Sequence, residues 1–421
     1  MPKSRSFHWA WLAACLYTLS VSGAGASAVH ADSGAQRERL EGLSKDDLTR
    51  MEPELVRGPV ALIEFADMER DQLPGVNIVV PIRASASMVT QVLTDPARFP
   101  RFMPALDSVD IVAKHEGSIV YDWAFNLALL RMRGRNLMTV YPAPKAKPEA
   151  GTRITIDSQE GDLGRGRLLF RVHPRGQDSL LVASLRLDLR EANYVARQVA
   201  KAARSVNRSA NIALAFSLAL HTQLESERRE ARERPPLAAT PMRKPEVELQ
   251  RLAPLLNRGD LLLFEGRGKT LDQISVLGVV AQNESKVQHV MHDAKAFGSS
   301  LVPGSKAVIV AQNDAVTTFD WAIDLPLVGV SGQMRLFDQG RKLSIEATQG
   351  ALQGGRWWFE VTPVTPDATL VTGWARFDFD NSTWLLEKLV SADAYLGQGM
   401  IGASQLMLMR AVRSRAAQPT Q

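Results

Sequence analysis

The chain has 421 residues, of which 45% are hydrophobic, 23% charged and 6% aromatic. This balance is typical of globular proteins and excludes a largely disordered, collagen-like or low-complexity chain. Lysine and arginine number 50, aspartate and glutamate number 45, and the formal net charge is +5. Charges of both signs are mixed along the sequence without a one-sided basic stripe, so we expect no nucleic-acid partner.

The first 31 residues have the pattern of an export signal. Lys3 and Arg5 precede an apolar stretch over 7–21, and a run of small residues leads to Ala31. A basic start, an apolar middle and a small residue at the cut are typical of a signal peptide. We therefore expect signal peptide 1–31, with Ala28 as the alternative cleavage position, and a periplasmic or secreted protein. An uncleaved anchor is less favoured, because the run is shorter than the ~20 residues of a spanning helix.

The single cysteine, Cys15, lies inside this segment. The sequence Leu-Ala-Ala-Cys over 12–15 is also similar to a lipoprotein box, so a lipoprotein anchored at Cys15 is the alternative localisation. Against it, the apolar segment continues beyond Cys15. If cleavage follows Ala31, the mature chain has no cysteine and must fold without disulfides.

The segments that follow predict an α+β domain over 48–222. Residues 121–129 alternate Tyr, Trp, Phe, Leu and Leu with Asp, Ala, Asn and Ala, which indicates a strand with one apolar face. A long amphipathic helix is predicted over 192–221. Short helices are expected between residues 85 and 104. The other predicted strands are 76–82, 109–113, 133–141, 153–158, 168–173 and 180–189.

The second half repeats the first. Residues 50–58 correspond to 251–259, 89–138 to 287–336 and 151–174 to 340–363, each without gaps and in the same order. The middle pair shares 13 of 50 residues and the last pair 9 of 24. Three ordered segments predict two tandem copies of one fold, the second over 248–412. Between the copies, 223–247 is predicted to be a charged, solvated helix extension, with Glu225 and Arg229 paired at i,i+4, followed by a proline-rich linker.

Consecutive strands joined by short turns are antiparallel, and one long helix must bury its apolar face against a curved sheet. Such an arrangement often leaves a cavity between sheet and helix that suits apolar ligands.

Residues 89–104, VTQVLTDPARFPRFMP, resemble a helix-and-turn segment of the START-like superfamily. This superfamily is also called SRPBCC, the polyketide cyclase/dehydrase and coenzyme Q-binding class. The resemblance covers roughly 76–221, and copy two departs from it, because 297–300 read FGSS. It implies two tandem helix-grip domains, each a curved antiparallel sheet around a long C-terminal helix, enclosing an apolar pocket. Members bind lipids, quinones, sterols or polyketides, and some are enzymes.

Aromatic and apolar side chains on the predicted inner strand faces and turns are the candidate cavity residues. Ordinary core packing explains them equally well, and this alternative stays open. Arg167 and Arg356 recur and could contact an anionic headgroup, although an ion pair is the commoner role. The spacing of His289 and His292 is too weak a signal for a metal site. The candidate cavity residues are Phe99, Phe102, Tyr121, Trp123, Phe125, Phe297, Phe319, Trp321 and Ile323.

Three functions remain. The favoured one is an exported binding or transport protein for a lipid, quinone or other apolar molecule, without cofactor or metal; membrane-surface contact for ligand exchange is left open. The second is a polyketide cyclase/aromatase-like enzyme, which needs an acid or base in the cavity; we identify no catalytic residue. The third is a non-catalytic scaffold with a degenerate second domain, which a cavity well below ~300 Å³ would favour.

Overall fold

The computed structural model describes residues 43–65, 75–127, 130–189, 192–193, 197, 204–233, 246–267, 270–299, 305–324, 329–377, 387, 391 and 393–418. The predicted signal peptide, Cys15 and the proline-rich linker lie outside the described residues.

The α-helices are α1 (Lys45–Leu55), α2 (Ala86–Leu93), α3 (Arg204–Arg229), α4 (Glu246–Leu256), α5 (Glu284–His292), α6 (Ala294–Ser299) and α7 (Ala394–Ala416). Short 3-10 helices span Pro96–Arg101 and Pro148–Ala150. The strands of copy one are β1 (Val60–Glu64), β2 (Val76–Ile82), β3 (Leu106–His115), β4 (Ser118–Leu127), β5 (Leu130–Tyr141), β6 (Thr152–Gly161), β7 (Arg165–Arg175) and β8 (Asp178–Asp188). Those of copy two are β9 (Gly259–Arg267), β10 (Thr270–Val280), β11 (Ser305–Gln312), β12 (Val316–Asp324), β13 (Gly329–Gln339), β14 (Lys342–Gly350), β15 (Gly355–Thr365) and β16 (Ala368–Phe377).

Both copies have the same order of elements. A leading strand pair is followed by short helices, six antiparallel strands and a long helix. Within the sheet, copy one runs β1-β2-β8-β7-β6-β5-β4-β3, and copy two repeats this order from β9 to β11. The duplication predicted from the sequence is therefore present in the fold. The leading strands β1 and β9 were not predicted.

The two copies share one sheet of 16 strands, because β1 pairs with β9. Residues 50–58 and 251–259 differ by 201, and with this offset the junction is symmetric. Ala61 pairs with its own equivalent, Leu262, so a local two-fold axis passes through this pair. The prediction of two separately wrapped helix-grip domains is therefore only partly right: the copies are alike but continuous.

Helices α1 and α4 cover one face of this junction. Their leucines pack with Leu62 and Leu261 in a small apolar cluster. Reciprocal ion pairs cross the axis: Arg57 contacts Glu248 at 3.2 Å, and Arg258 contacts Asp47 at 2.7 Å. At the offset of 201 residues, Arg258 is the equivalent of Arg57 and Glu248 is the equivalent of Asp47. The repeated N-terminal segment thus binds copy one to copy two.

Helices α3 and α7 lie together on the other face. A Cβ atom at Gly399 would be 2.6 Å from the Cα atom of Ala213, so this close helix contact requires glycine. Nearby, Phe216 of α3 stacks on Phe264 of β9 with ring centroids 3.8 Å apart. One apolar core therefore extends through both copies.

The charged extension of α3 differs from the prediction in its exposure. The expected pair is present, since Arg229 Nε lies 2.7 Å from Glu225 Oε1. However, Glu225 and Glu227 are buried, and a Glu227 oxygen accepts from the Arg83 backbone N–H at 3.2 Å. Side chains at the end of α3 also reach α2, because Glu230 accepts from the Ser85 backbone N–H at 3.0 Å. The extension is therefore packed against copy one rather than solvated.

Candidate functional site

A cavity of about 170 Å³ lies between the concave sheet face of copy one and its helices. Its wall is largely apolar: leucines of β7 and β8 line the sheet side, and leucines of α3 line the helix side. It is lined by Leu93, Phe99, Met103, Ala105, Leu106, Tyr121, Trp123, Phe125, Asn136, Ile156, Ser158, Leu163, Gly166, Arg167, Leu168, Phe170, Leu185, Leu187, Leu214, Ser217, Leu218 and Asp393.

Most of the aromatic residues predicted for copy one line this cavity. Tyr121, Trp123 and Phe125 alternate along β4, so all three side chains project from the same face of the sheet. Phe99 reaches the wall from the 3-10 helix and meets the Tyr121 ring edge-on at 6.5 Å between centroids. Phe102 does not line the cavity; it packs behind Phe99, with centroids 5.9 Å apart.

The predicted residues of copy two are a separate group. Phe319, Trp321 and Ile323 are buried in the core of their own copy and do not line the cavity of copy one. The side chain of Phe297 lies outside the described residues.

The recurring tryptophans have a packing explanation. A Cβ atom at Gly134 would be 2.7 Å from the Trp123 ring, and a Cβ atom at Gly332 would be 3.1 Å from Trp321 Nε1. Each tryptophan lies over a glycine on the neighbouring strand. The recurrence of both residue types is therefore a packing requirement of the fold, while Trp123 also contributes a wall to the cavity.

Larger rings occupy the corresponding interior of copy two. Leu168 and Leu187 flank Gly166 in copy one, and the sheet register places Trp357 and Phe377 at their positions. Both rings lie over Gly355, whose Cβ atom would be 2.4 Å from Trp357 and 2.7 Å from Phe377. At these two positions copy two has larger side chains than the cavity wall of copy one.

The two recurring arginines form equivalent ion pairs. Arg167 Nε donates to Asp157, and its side chain is 13% exposed in the cavity wall. Arg356 Nη2 lies 3.1 Å from Glu346 and is 61% exposed. The commoner of the two predicted roles, an ion pair, is thus present in both copies.

Four polar residues of the wall, Asn136, Ser158, Ser217 and Asp393, were not singled out from the sequence. Asn136 and Ser158 lie on β5 and β6, and Asp393 reaches copy one from the start of α7. Asp393 accepts from the Tyr395 backbone N–H at 2.9 Å and from the Ser217 hydroxyl. His221 Nε2 lies 3.1 Å from the same carboxyl group. The second copy thereby contributes a residue to the cavity wall of the first.

Among the residues of the cavity wall, Tyr121 has a strongly shifted pKa. Burial raises the pKa of its hydroxyl to about 12, although the hydrogen bond from Asn136 acts in the opposite direction. The hydroxyl is therefore a neutral donor at physiological pH. Among the described residues, no three histidine, cysteine, aspartate or glutamate side chains form a metal-binding group. No helix in the described parts of the chain is both long and apolar enough to span a membrane.

Comparison with solved structures finds START-like proteins. The di-domain ARO/CYC protein StfQ of the steffimycin biosynthetic pathway is 11% identical over 81% of this chain and 97% of its own, with a TM-score of 0.28. A STAR-related lipid transfer protein fragment from Xanthomonas axonopodis is 11% identical over 40% of this chain and 94% of its own, with a TM-score of 0.33. Human STARD10 is 12% identical over 45% and 82%, also with a TM-score of 0.33. No protein-family model and no curated protein matches the sequence. With TM-scores this low, the description of the site rests on the geometry above.

Proposed function

We propose that copy one of this START-like fold binds one small, mostly apolar molecule, and that copy two has a structural role. The observation that supports this most strongly is the difference between equivalent positions of the two interiors. Copy one has leucines around a cavity of about 170 Å³, where copy two has Trp357 and Phe377. Copy two forms the same sheet with these larger rings, so the smaller leucines of copy one are not required for the fold.

The volume restricts the size of the ligand. It is below the ~300 Å³ of pockets for drug-sized molecules, and a volume this small is what we expected of a scaffold. A cavity of about 150 Å³ lined by apolar side chains nevertheless holds benzene. The cavity therefore fits a single ring or a short alkyl segment, and not a whole lipid. Within the expected class of a lipid, quinone or other apolar molecule, this supports a small molecule, or the ring of a larger one, over a whole lipid.

The expected affinity follows from the area of one ring. Burying roughly 150 Å² at ~25 cal/mol per Å² contributes about 4 kcal/mol. This corresponds to a Kd on the order of 1 mM. Additional contacts of the natural ligand with the polar part of the wall would strengthen binding.

Toluene is the direct probe, titrated against the full chain and followed by ligand-observed NMR. We expect one saturable site per chain with a millimolar Kd. Leu187→Phe copies the residue of copy two and should abolish this binding. Val308→Phe adds a ring at an exposed position and serves as the matched control. Absence of saturable toluene binding to the unmodified chain contradicts the proposal. If toluene binds, mass spectrometry of an organic extract of the native protein would identify the natural ligand.

The cyclase-like alternative depends on Asp393, the acidic residue in the cavity wall. Its oxygens accept from Ser217 and from the first turn of α7, which supports a role in joining α7 to α3. We therefore favour binding over catalysis. Retention of toluene binding by Asp393→Asn together with loss of a turnover on extracted ligand would instead support the enzyme.

We further propose that the protein is exported. The basic, apolar and small-residue pattern of 1–31 supports a signal peptide, and Cys15 is the alternative site of lipid anchoring. Cell fractionation of the unmodified chain and of Cys15→Ser tests both. Recovery of both proteins in the soluble exported fraction supports cleavage of the signal peptide. Recovery of the unmodified chain in the membrane fraction and of Cys15→Ser in the soluble fraction supports lipid anchoring.

A further inference from the structure

Three polar side chains form a row across the concave face of copy one. Tyr121 on β4 pairs directly with Asn136 on β5, and Asn136 pairs directly with Ser158 on β6. All three line the cavity. They interrupt an inner face that is otherwise built mainly from leucine, isoleucine and phenylalanine.

The hydrogen bonds within the row leave donors and acceptors for a ligand. Asn136 Nδ2 donates to Tyr121 Oη at 3.2 Å, so the phenol acts as an acceptor towards its neighbour. Its own hydroxyl hydrogen is the donor that a ligand oxygen would meet. Ser158 donates to the Gly164 carbonyl at 2.8 Å, which leaves the lone pairs of its oxygen as acceptors.

The same row in copy two is entirely apolar. Phe319, Met334 and Ala347 pair across β12, β13 and β14 in the same register. A phenol is thus replaced by a phenyl ring, an amide by a thioether and a hydroxymethyl group by a methyl group. Because the second copy forms the same sheet without these polar groups, the sheet does not require them.

Resting on the proposed function, we propose that the row formed by Tyr121, Asn136 and Ser158 binds the oxygen of a carbonyl or hydroxyl group on an uncharged ligand. The hydroxyl of Tyr121 would donate to that oxygen, and the amide of Asn136 orients the hydroxyl. The row itself is uncharged. The wall also carries one group of each sign: Asp393 would repel an anionic end, and Arg167 is already paired with Asp157. The ligand class is therefore a neutral, ring-sized molecule with one oxygen function.

Acetophenone and ethylbenzene test this, because they differ only in a carbonyl against a methylene group. Both are titrated by NMR against the full chain and against Tyr121→Phe, a change that copies Phe319. We expect Tyr121→Phe to weaken acetophenone binding about 5- to 10-fold, the effect of one hydrogen bond. Binding of ethylbenzene should stay within two-fold. Phe125→Ile, which copies Ile323, is the control and should leave the ratio of the two affinities unchanged.

The outcomes separate this inference from the proposed function. Equal weakening of both ligands by Tyr121→Phe, or no weakening of either, overturns the polar site while binding in the cavity stands. Binding of ethylbenzene but not acetophenone to the unmodified chain also overturns the polar site, while binding in the cavity stands. Failure of both ligands to bind the unmodified chain overturns the proposed function and the inference together. Thermal unfolding of each variant establishes that the fold is retained.

Discussion

Filling the cavity of copy one with the side chains of copy two should stabilise the protein. A cavity of about 170 Å³ corresponds to at most roughly 4 kcal/mol of lost packing at ~24 cal/mol per Å³. The double change Leu168→Trp with Leu187→Phe places two larger rings into this space beside Gly166. Part of the lost packing is regained, so we expect the free energy of unfolding to rise by about 1–2 kcal/mol. Toluene binding should be lost at the same time.

Urea unfolding followed by tryptophan fluorescence measures this change, with an unaltered dependence on urea concentration as the sign of an unaltered fold. In a core that is already well packed, the same substitutions would destabilise by ~1–3 kcal/mol. A fall in stability therefore refutes the cavity, and retained toluene binding refutes its role. The reverse change, Trp357→Leu with Phe377→Leu, is the matched experiment in copy two. It should destabilise by about 2–5 kcal/mol and create a second toluene site.

Two further predictions concern packing and the junction. Gly134→Ala should destabilise by about 1–3 kcal/mol, because its Cβ atom would be 2.7 Å from the Trp123 ring; a change within 0.5 kcal/mol in a urea titration would contradict this packing. Burial raises the pKa of Asp47, but hydrogen bonds from the Ser44 backbone and from Arg258 outweigh it and hold the pKa below its usual 3.8. The contribution of Asp47 is therefore complete above pH 3.8 and is lost as the pH falls through the lower folded value. Asp47→Asn should reduce the free energy of unfolding at pH 7 by about 1–3 kcal/mol. In the variant this free energy should also fall less steeply as the pH is lowered. An unchanged dependence on pH would exclude this ion pair as a contributor.

The regular strands could be predicted where side chains alternate or where an apolar, β-branched run is long enough. Residues 76–82 form β2 as expected, and the alternation from Tyr121 onward lies in β4. Strand β1 was not predicted because Val60–Glu64 has only five residues and its apolar run only four. It lies where helices cover both faces of the sheet, so neither face is polar. Its partner β9 is about 200 residues away, and no local pattern indicates that pairing.

The large side chains of the site were predictable, and the small polar ones were not. Tyr121 lies on a strand face that the alternation predicts to be apolar, so its burial followed from the pattern, whereas Phe99 was expected from the family resemblance of 89–104. Asn136 and Ser158 are single polar residues, which in isolation indicate a solvent-facing position. The signal that identifies them is the difference from Met334 and Ala347, visible only when the two copies are compared position by position.

Xenon binding tests the central claim most directly, because xenon enters apolar cavities of this size without needing a polar partner. Crystals of the protein under xenon pressure, measured at a wavelength with strong anomalous scattering, would give the positions of the bound atoms. We expect a xenon site between Leu168, Leu187 and α3 of copy one, and none between Trp357 and Phe377 of copy two. Absence of xenon from copy one, or equal occupancy in both copies, would contradict the account of one open and one filled interior.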